Sequence, residues 1–321
     1  QNNRWEGSWI KGTSSAPQVM HFTAGTSEPQ LAGKAPVTDI SGKWAISFTR
    51  PDLTKRPAIG EWQLKGAQLS GTIITPTGDY RYLNGKVTGD HLELGTFDGS
   101  HAFLITAHIR DADHIDSGFY YSGATERQPW EALRNGAAVL PDIAGMRLKG
   151  PADHLHFRFR DLDGNWVSIT DKRFKDKVVV IQIMGSWCPN CMDETAFLSD
   201  FYRRNRDRGV EIIGLAYEYS TDPVRSRQSI GKFRDRFGVT YALLNTGVTV
   251  SDTLRTEKTL PELTPIKSFP TTIFLDRDGK VVKIHPGFEG PGTGDHYLQW
   301  QAAFTATIDK LLKRQALDTA E

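Results

Sequence analysis

The run VVVIQIM, Val178 to Met184, is followed within a few residues by Cys188 and Cys191, the only two cysteines in the chain. An unbroken apolar run of this length, rich in β-branched residues, predicts a strand buried on both faces. A helix is expected to begin at once near Cys188. Pro189 suits its first turn, Phe197, Leu198, Phe201 and Tyr202 recur at helical spacing, and Gly209 can end it. Any fold for this chain must therefore deliver a buried strand straight into a helix whose N-terminus carries both thiols.

Three chemistries compete for such a pair. A structural zinc ion needs four ligands, and two cysteines supply half. His154, His156 and His285 are the candidate complements, but none stands at finger-like spacing. A staple closing so short a loop contributes only about 2 kcal/mol in the chain-entropy model, so it does little for the fold. Thiol chemistry fits better. The first cysteine would lie at the positive end of the helix dipole, among free backbone N–H groups that stabilise a thiolate. The second, one turn in, would be shielded and suited to resolving a mixed disulfide. Asp193 and Glu194 oppose the thiolate.

The chain has 321 residues, which favours two domains. Its 38% hydrophobic and 24% charged residues exclude a disordered chain. With 39 Lys and Arg against 38 Asp and Glu, there is no basic surplus for binding phosphate backbones, which argues against nucleic acid as the main partner. No apolar run approaches the roughly 20 residues that cross a bilayer. The sequence opens at Gln1 without an initiator Met or a leader, as expected of a processed or trimmed form.

Residues 1–140 read as a β-rich domain. KWAISFTR alternates Trp44, Ile46 and Phe48 on one face, and QLSGTIITP, HLELGTFDG, HAFLITAHI and SGFYYSG follow with turn residues between them. This spacing predicts an antiparallel barrel or sandwich, with Trp44, Trp62, Phe97, Phe103, Phe119 and Tyr120 in its core. Pro141, Gly145, Gly150 and Pro151 mark residues 141–153 as a linker. From 154 to 321 strands alternate with helices. Hairpins are expected at Asp163-Gly164 and Asp278-Gly279. VEIIGLAYE and YALLN read as strands, the segment from Asp222-Pro223 to Gly238 as a helix, and 294–314 as a last helix, giving an α/β sheet with an antiparallel end.

On the strand VVVIQIM, the turn SWCPNC and the later SFPTT (Ser268–Thr272), this second half resembles the thioredoxin superfamily, and within it the TlpA/ResA-like thiol-disulfide oxidoreductases. The resemblance implies a thioredoxin-like α/β fold and a redox-active disulfide between Cys188 and Cys191. It implies a cis Pro270 lying against that disulfide, and a client chain pairing with the backbone of Phe269, with Trp187 and Pro189 beside it. Thioredoxins proper carry a buried Asp six residues before the first cysteine; Gln182 stands there instead. ResA-like proteins place a carboxylate in the loop after the next strand, which makes Glu218 the expected proton shuttle. No cofactor or metal is implied. Partners would be protein thiols and disulfides, with a membrane or thioredoxin-like electron donor, in the periplasm or elsewhere outside the cytoplasm. Strands such as GTIITPTGDYRYLNG resemble, more loosely, the β-domain joined to some TlpA-like modules, suggesting a scaffold or docking role.

Two other functions use cysteines in related folds. A peroxiredoxin would have a Thr three residues before the reactive cysteine, where Gly185 stands. A Sco-like copper module would use Cys188, Cys191 and His285, but those relatives have CxxxC. The glycine-rich GFEGPGTG fails the dinucleotide fingerprint because it follows a hairpin. DLDG and DRDG lack the remaining calcium ligands, and the basic RRNRDR suits a helix C-terminus.

Overall fold

Strands β1 (Arg4–Lys11) and β2 (Gln18–Gly25) pair as an antiparallel hairpin at the start of the first of two compact units, 1–141 and 142–321. The structure, a computed structural model, describes residues 4–11, 18–25, 34–99, 101–141 and 145–313. Nine further strands complete this unit: β3 (Gly42–Thr49), β4 (Lys55–Lys65), β5 (Gln68–Thr75), β6 (Gly78–Asp79), β7 (Leu83–Thr88), β8 (His91–Phe97), β9 (Ala102–Ile109), β10 (His114–Ser122) and β11 (Glu126–Arg134). All pair antiparallel.

A barrel, and not a sandwich, results because the sheet closes on itself. β11 returns to β3 with Trp130 opposite Phe48 and Arg134 opposite Trp44. The ring then runs β3-β4-β5-β7-β8-β9-β10-β11, with the short β6 paired to β5. The alternation read in KWAISFTR becomes the inside of the barrel. Trp44, Ile46 and Phe48 are buried with Leu69, Ile73, Leu92, Leu94 and Ile105, as an eight-stranded barrel filled by its own side chains requires. Trp62 and Tyr120 are buried, and Phe103 packs against this core with its ring 5.3 Å from that of Tyr120. Phe97 departs from expectation. It lies 58% exposed on the outside, against the rings of Trp9 and Phe22 from the hairpin. Leu92 and Leu94 face inward, so the unbroken alternation of β8 carries Phe97, three residues beyond Leu94, to the outer face. Phe119 is only half-buried and lies beneath the Arg127 guanidinium.

In the second unit the seven-stranded sheet runs β13-β12-β16-β15-β14-β17-β18. These strands are β12 (Arg158–Asp161), β13 (Trp166–Ser168), β14 (Val178–Met184), β15 (Val210–Ala216), β16 (Ala242–Asn245), β17 (Thr271–Leu275) and β18 (Val281–Pro286). The helices are α1 (Pro189–Asn205), α2 (Pro223–Phe237), α3 (Arg255–Thr259) and α4 (Asp295–Lys313). β14, β15 and β16 are parallel, while β17 and β18 return antiparallel. Every residue of β14 is buried. Val178 and Val180 face a layer made by α1, α2 and α4, and Val179, Ile181 and Ile183 face the other side with Phe174, Leu260 and Ile266.

The helix punctuation acts as its residue types dictate. Asp222 caps α2 by accepting from Val224 N–H at 2.9 Å, and Gly238 closes it in the left-handed region. The short α3 gave no sequence signal. Of the segment expected to link the units, residues from Gly145 onward lie on the second one: Met146 is in its core and Leu148 bridges Leu263.

Candidate functional site

β14 carries the chain to Gly185, Ser186 and Trp187, and the helix starts one residue after Cys188. Gly185 is required here, because a Cβ at that position would stand 2.2 Å from the Trp187 indole nitrogen. That ring folds back to donate to Tyr217 C=O at 2.8 Å and packs against Tyr219 and Phe269, with centroids at 4.9 and 5.7 Å. Tyr219 is 62% exposed, so an aromatic rim borders the first cysteine.

Cys188 is the N-cap of α1. Its sulfur accepts from Cys191 N–H at 3.3 Å and donates to Phe269 C=O at 3.4 Å. The Phe269–Pro270 bond is cis. Pro189 occupies the first turn of the helix, buried. The two thiols are unbridged, and Cys191 has no exposed surface. Burial first, and then the neighbouring Cys188 sulfur, push the Cys191 thiol well above its ordinary range. The structure thus brings together Cys188, Cys191, Trp187, Pro189, Phe269 and Pro270.

Glu218 is also at the site, at the foot of the turn. One carboxylate oxygen accepts from Ser186 N–H at 2.9 Å and the other from the Ser186 hydroxyl at 2.7 Å. Burial raises its pKa, and the two bonds from Ser186 act in the opposite direction.

The residue that sequence reasoning passed over is Glu194. Read as one of two acids flanking the cysteines, it is in fact completely buried. Gln182 Nε2 donates to it at 2.7 Å and also approaches Cys191 C=O at 3.4 Å. Thr272 Oγ1 donates to its other oxygen. Burial pushes its pKa up to about 7, against the pull of those two donors. Its charge in turn raises Cys191. The signal was available: Glu194 lies one turn beyond Cys191 and four residues before Leu198, on the helix face that packs on β14. Gln182, Thr195 and Glu194 form one buried network, in which Thr195 donates to Gln182 Oε1 at 3.0 Å.

The three histidines considered as metal ligands go elsewhere. His154 pairs with Asp153 and His156 with Glu262, and His285 stands beside Trp300. Among the described residues no group of three or more His, Cys, Asp or Glu is placed to hold a metal ion.

A central strand feeding a two-cysteine helix N-terminus, with a cis-proline strand alongside, gives the second unit a thioredoxin-like α/β fold. The redoxin family matches residues 140–297. The chain is 28% identical over 134 residues to the thiol-disulfide oxidoreductase ResA of Halalkalibacterium halodurans, covering 41% of this chain and 66% of that protein. It is 24% identical over 136 residues to ResA of Bacillus subtilis, covering 42% and 66%. The chain thus spans just under two thirds of the length of these relatives. A thioredoxin-family thiol:disulfide interchange protein from Chlorobium tepidum aligns in structure at 18% identity and a TM-score of 0.37, over 51% of this chain and 97% of that one. Through its second unit, the chain is similar to the TlpA/ResA-like proteins of the thioredoxin superfamily, and an N-terminal β-barrel precedes that unit in the chain.

Proposed function

We propose that the protein is a thiol-disulfide oxidoreductase that reduces disulfides in protein clients outside the cytoplasm, using Cys188 and Cys191. The observation that carries this reading is the asymmetry of the pair. Cys188 caps a helix beside the Phe269 carbonyl and an aromatic rim, while Cys191 is sealed behind it with a raised pKa. Cys188 thiolate attacks a client sulfur, forming a mixed disulfide and releasing the first client thiolate. Cys191 then gives its proton to Glu194 and attacks Cys188. The second client thiolate leaves, and the enzyme holds the new S–S bond while the client has gained two electrons.

A client chain would lie along Phe269 and Pro270, over Trp187 and Pro189. Glu218, whose oxygens both hold Ser186, sets the approach to Cys188 in this scheme, and the shuttle role expected of it passes to Glu194. A membrane or thioredoxin-like donor would return the electrons. The peroxidase reading is disfavoured by Gly185, which packs under Trp187 where a peroxide site would place a hydroxyl. Among the described residues no helix is long and apolar enough to cross a membrane.

The test is an equilibrium titration of the pair in glutathione buffers, read by alkylation and mass, together with a Cys191→Ser trap. A midpoint below about −220 mV and a stable mixed disulfide on Cys188 are expected. A midpoint above about −180 mV would reverse the direction of exchange. A pair that never closes would overturn the reading.

A further inference from the structure

Glu194 and Cys191 are both without exposed surface. On the cysteine side Cys188 stands in front of Cys191, its sulfur bonded to Cys191 N–H and to Phe269 C=O. A client joined to Cys188 covers that side further. Yet each cycle moves a proton out of this core and another back in.

A second opening exists. Gln182 on β14 stands opposite Thr272 on β17, and Thr272 stands opposite His285 on β18. Directly opposed residues of neighbouring strands present their side chains to the same face, about 5 Å apart, so the three form a polar row across the sheet. Glu194 descends from α1 onto this row and bonds to the first two members. The third lies in a cleft of about 240 Å³ lined by Thr272, His285, Lys283, Glu289, Trp300 and Phe304. Thr272 therefore touches the buried carboxyl on one side and the cleft on the other.

We propose that Thr272 and His285 form a rear proton route by which Glu194 exchanges protons with solvent while a client occupies the front. The inference rests on the dithiol-exchange reading above. Once Cys191 has passed its proton to Glu194, the new carboxyl O–H donates to Thr272 Oγ1. The threonine hydroxyl turns outward and hands its own hydrogen to His285 or to water in the cleft. One imidazole nitrogen accepts while the other releases, so no charge accumulates on the ring. The surroundings suit this. Burial first, then Lys283 from the same strand, lower the His285 pKa to about 4, which keeps the ring neutral and able to accept. The ionisable groups near the row are Cys191, Glu194 and the Tyr241 phenol at its inner end, and Lys283 and Glu289 at the cleft.

The test uses the full chain with insulin and oxidised glutathione as disulfide probes, timing first attack and resolution separately by acid quench. His285→Phe keeps the volume filled and should slow resolution of the insulin mixed disulfide by at least about tenfold. First attack and the midpoint potential should stay as in the wild type. The effect should be smaller with glutathione, which leaves the front more open. In His285→Ala, added imidazole should restore the rate in proportion to its concentration. Thr272→Val should slow resolution and Thr272→Ser should recover it. Unchanged resolution in His285→Phe would overturn the route, as would equal slowing of both steps or a loss that imidazole does not repair. A wild-type chain that forms no mixed disulfide would instead overturn the parent reading.

Discussion

The barrel and the α/β unit bury their interiors by different rules. Among the largest side chains sealed in the barrel are Trp44, Phe48, Ile40, Leu69, Ile73, Leu83, Leu92, Leu94 and Ile105. Its buried polar groups, Thr72, Thr75 and Asp79, gather along the end of β5 and in β6. The second unit closes over Gln182, Cys191, Glu194, Thr195 and Thr272 at the middle of its sheet. Burying a polar group costs free energy unless its hydrogen bonds are met. The Gln182–Glu194–Thr272 network meets them, but a wholly apolar core would have needed none. The barrel spends its interior on packing. The α/β unit keeps an ionisable carboxyl, Glu194, one helical turn from a buried thiol, an arrangement that suits the proton transfer proposed above.

That contrast can be attacked from both sides. Trp44→Ala opens the centre of the barrel and removes an indole N–H bonded to Ile40 C=O, so a loss of about 3–5 kcal/mol is expected in denaturant unfolding. The midpoint potential of the cysteine pair should not move. If it does, the barrel is more than a scaffold.

Glu194→Gln tests the other core by its pH dependence. Burial raises the folded-state pKa to about 7 from an ordinary 4.5, so the folded protein keeps a proton that the unfolded chain releases. Stability therefore falls as pH rises between these values, by about 3 kcal/mol across the window. His285 acts with the opposite sign: its pKa is lowered from 6.5 to about 4, so its contribution is regained as pH rises between those values. Subtracting the wild-type curve from that of the variant cancels the histidine and leaves Glu194. A difference curve flat from pH 4 to 8 would remove Glu194 from the proton path.

The smallest effect belongs to Asp222→Ala, which takes away the cap of α2 and should cost about 1 kcal/mol while leaving exchange unchanged.

How much could be read beforehand follows the range of the interactions. Strand, turn and helix around Cys188 were legible because each is signalled by neighbours in sequence. The caps Asp222 and Gly238 were legible for the same reason. Barrel and sandwich could not be separated, since the decision rests on Trp130 meeting Phe48, 82 positions earlier, and strand alternation is silent about partners. Glu194 was hidden by chemistry: a carboxylate on a helix is usually solvated. Only the arrival of Gln182 and Thr272 from two separate strands turns it inward. Tyr219 and Phe97 were missed for the converse reason, as large aromatics that the fold leaves at the surface.

One more consequence follows from Cys188 serving as the cap of α1. The atom that satisfies the first turn of that helix is the same atom that changes oxidation state. A thiol or thiolate sulfur accepts the Cys191 N–H, whereas a sulfur tied into a disulfide bears less charge for that role. Helix order and electron affinity are therefore two faces of one quantity. Whatever extra stability the folded, reduced form gains from its cap reappears as a shift in potential, at 30 mV for each 1.4 kcal/mol. Calorimetry of the reduced and oxidised chains would read the protein's reducing power without any client present.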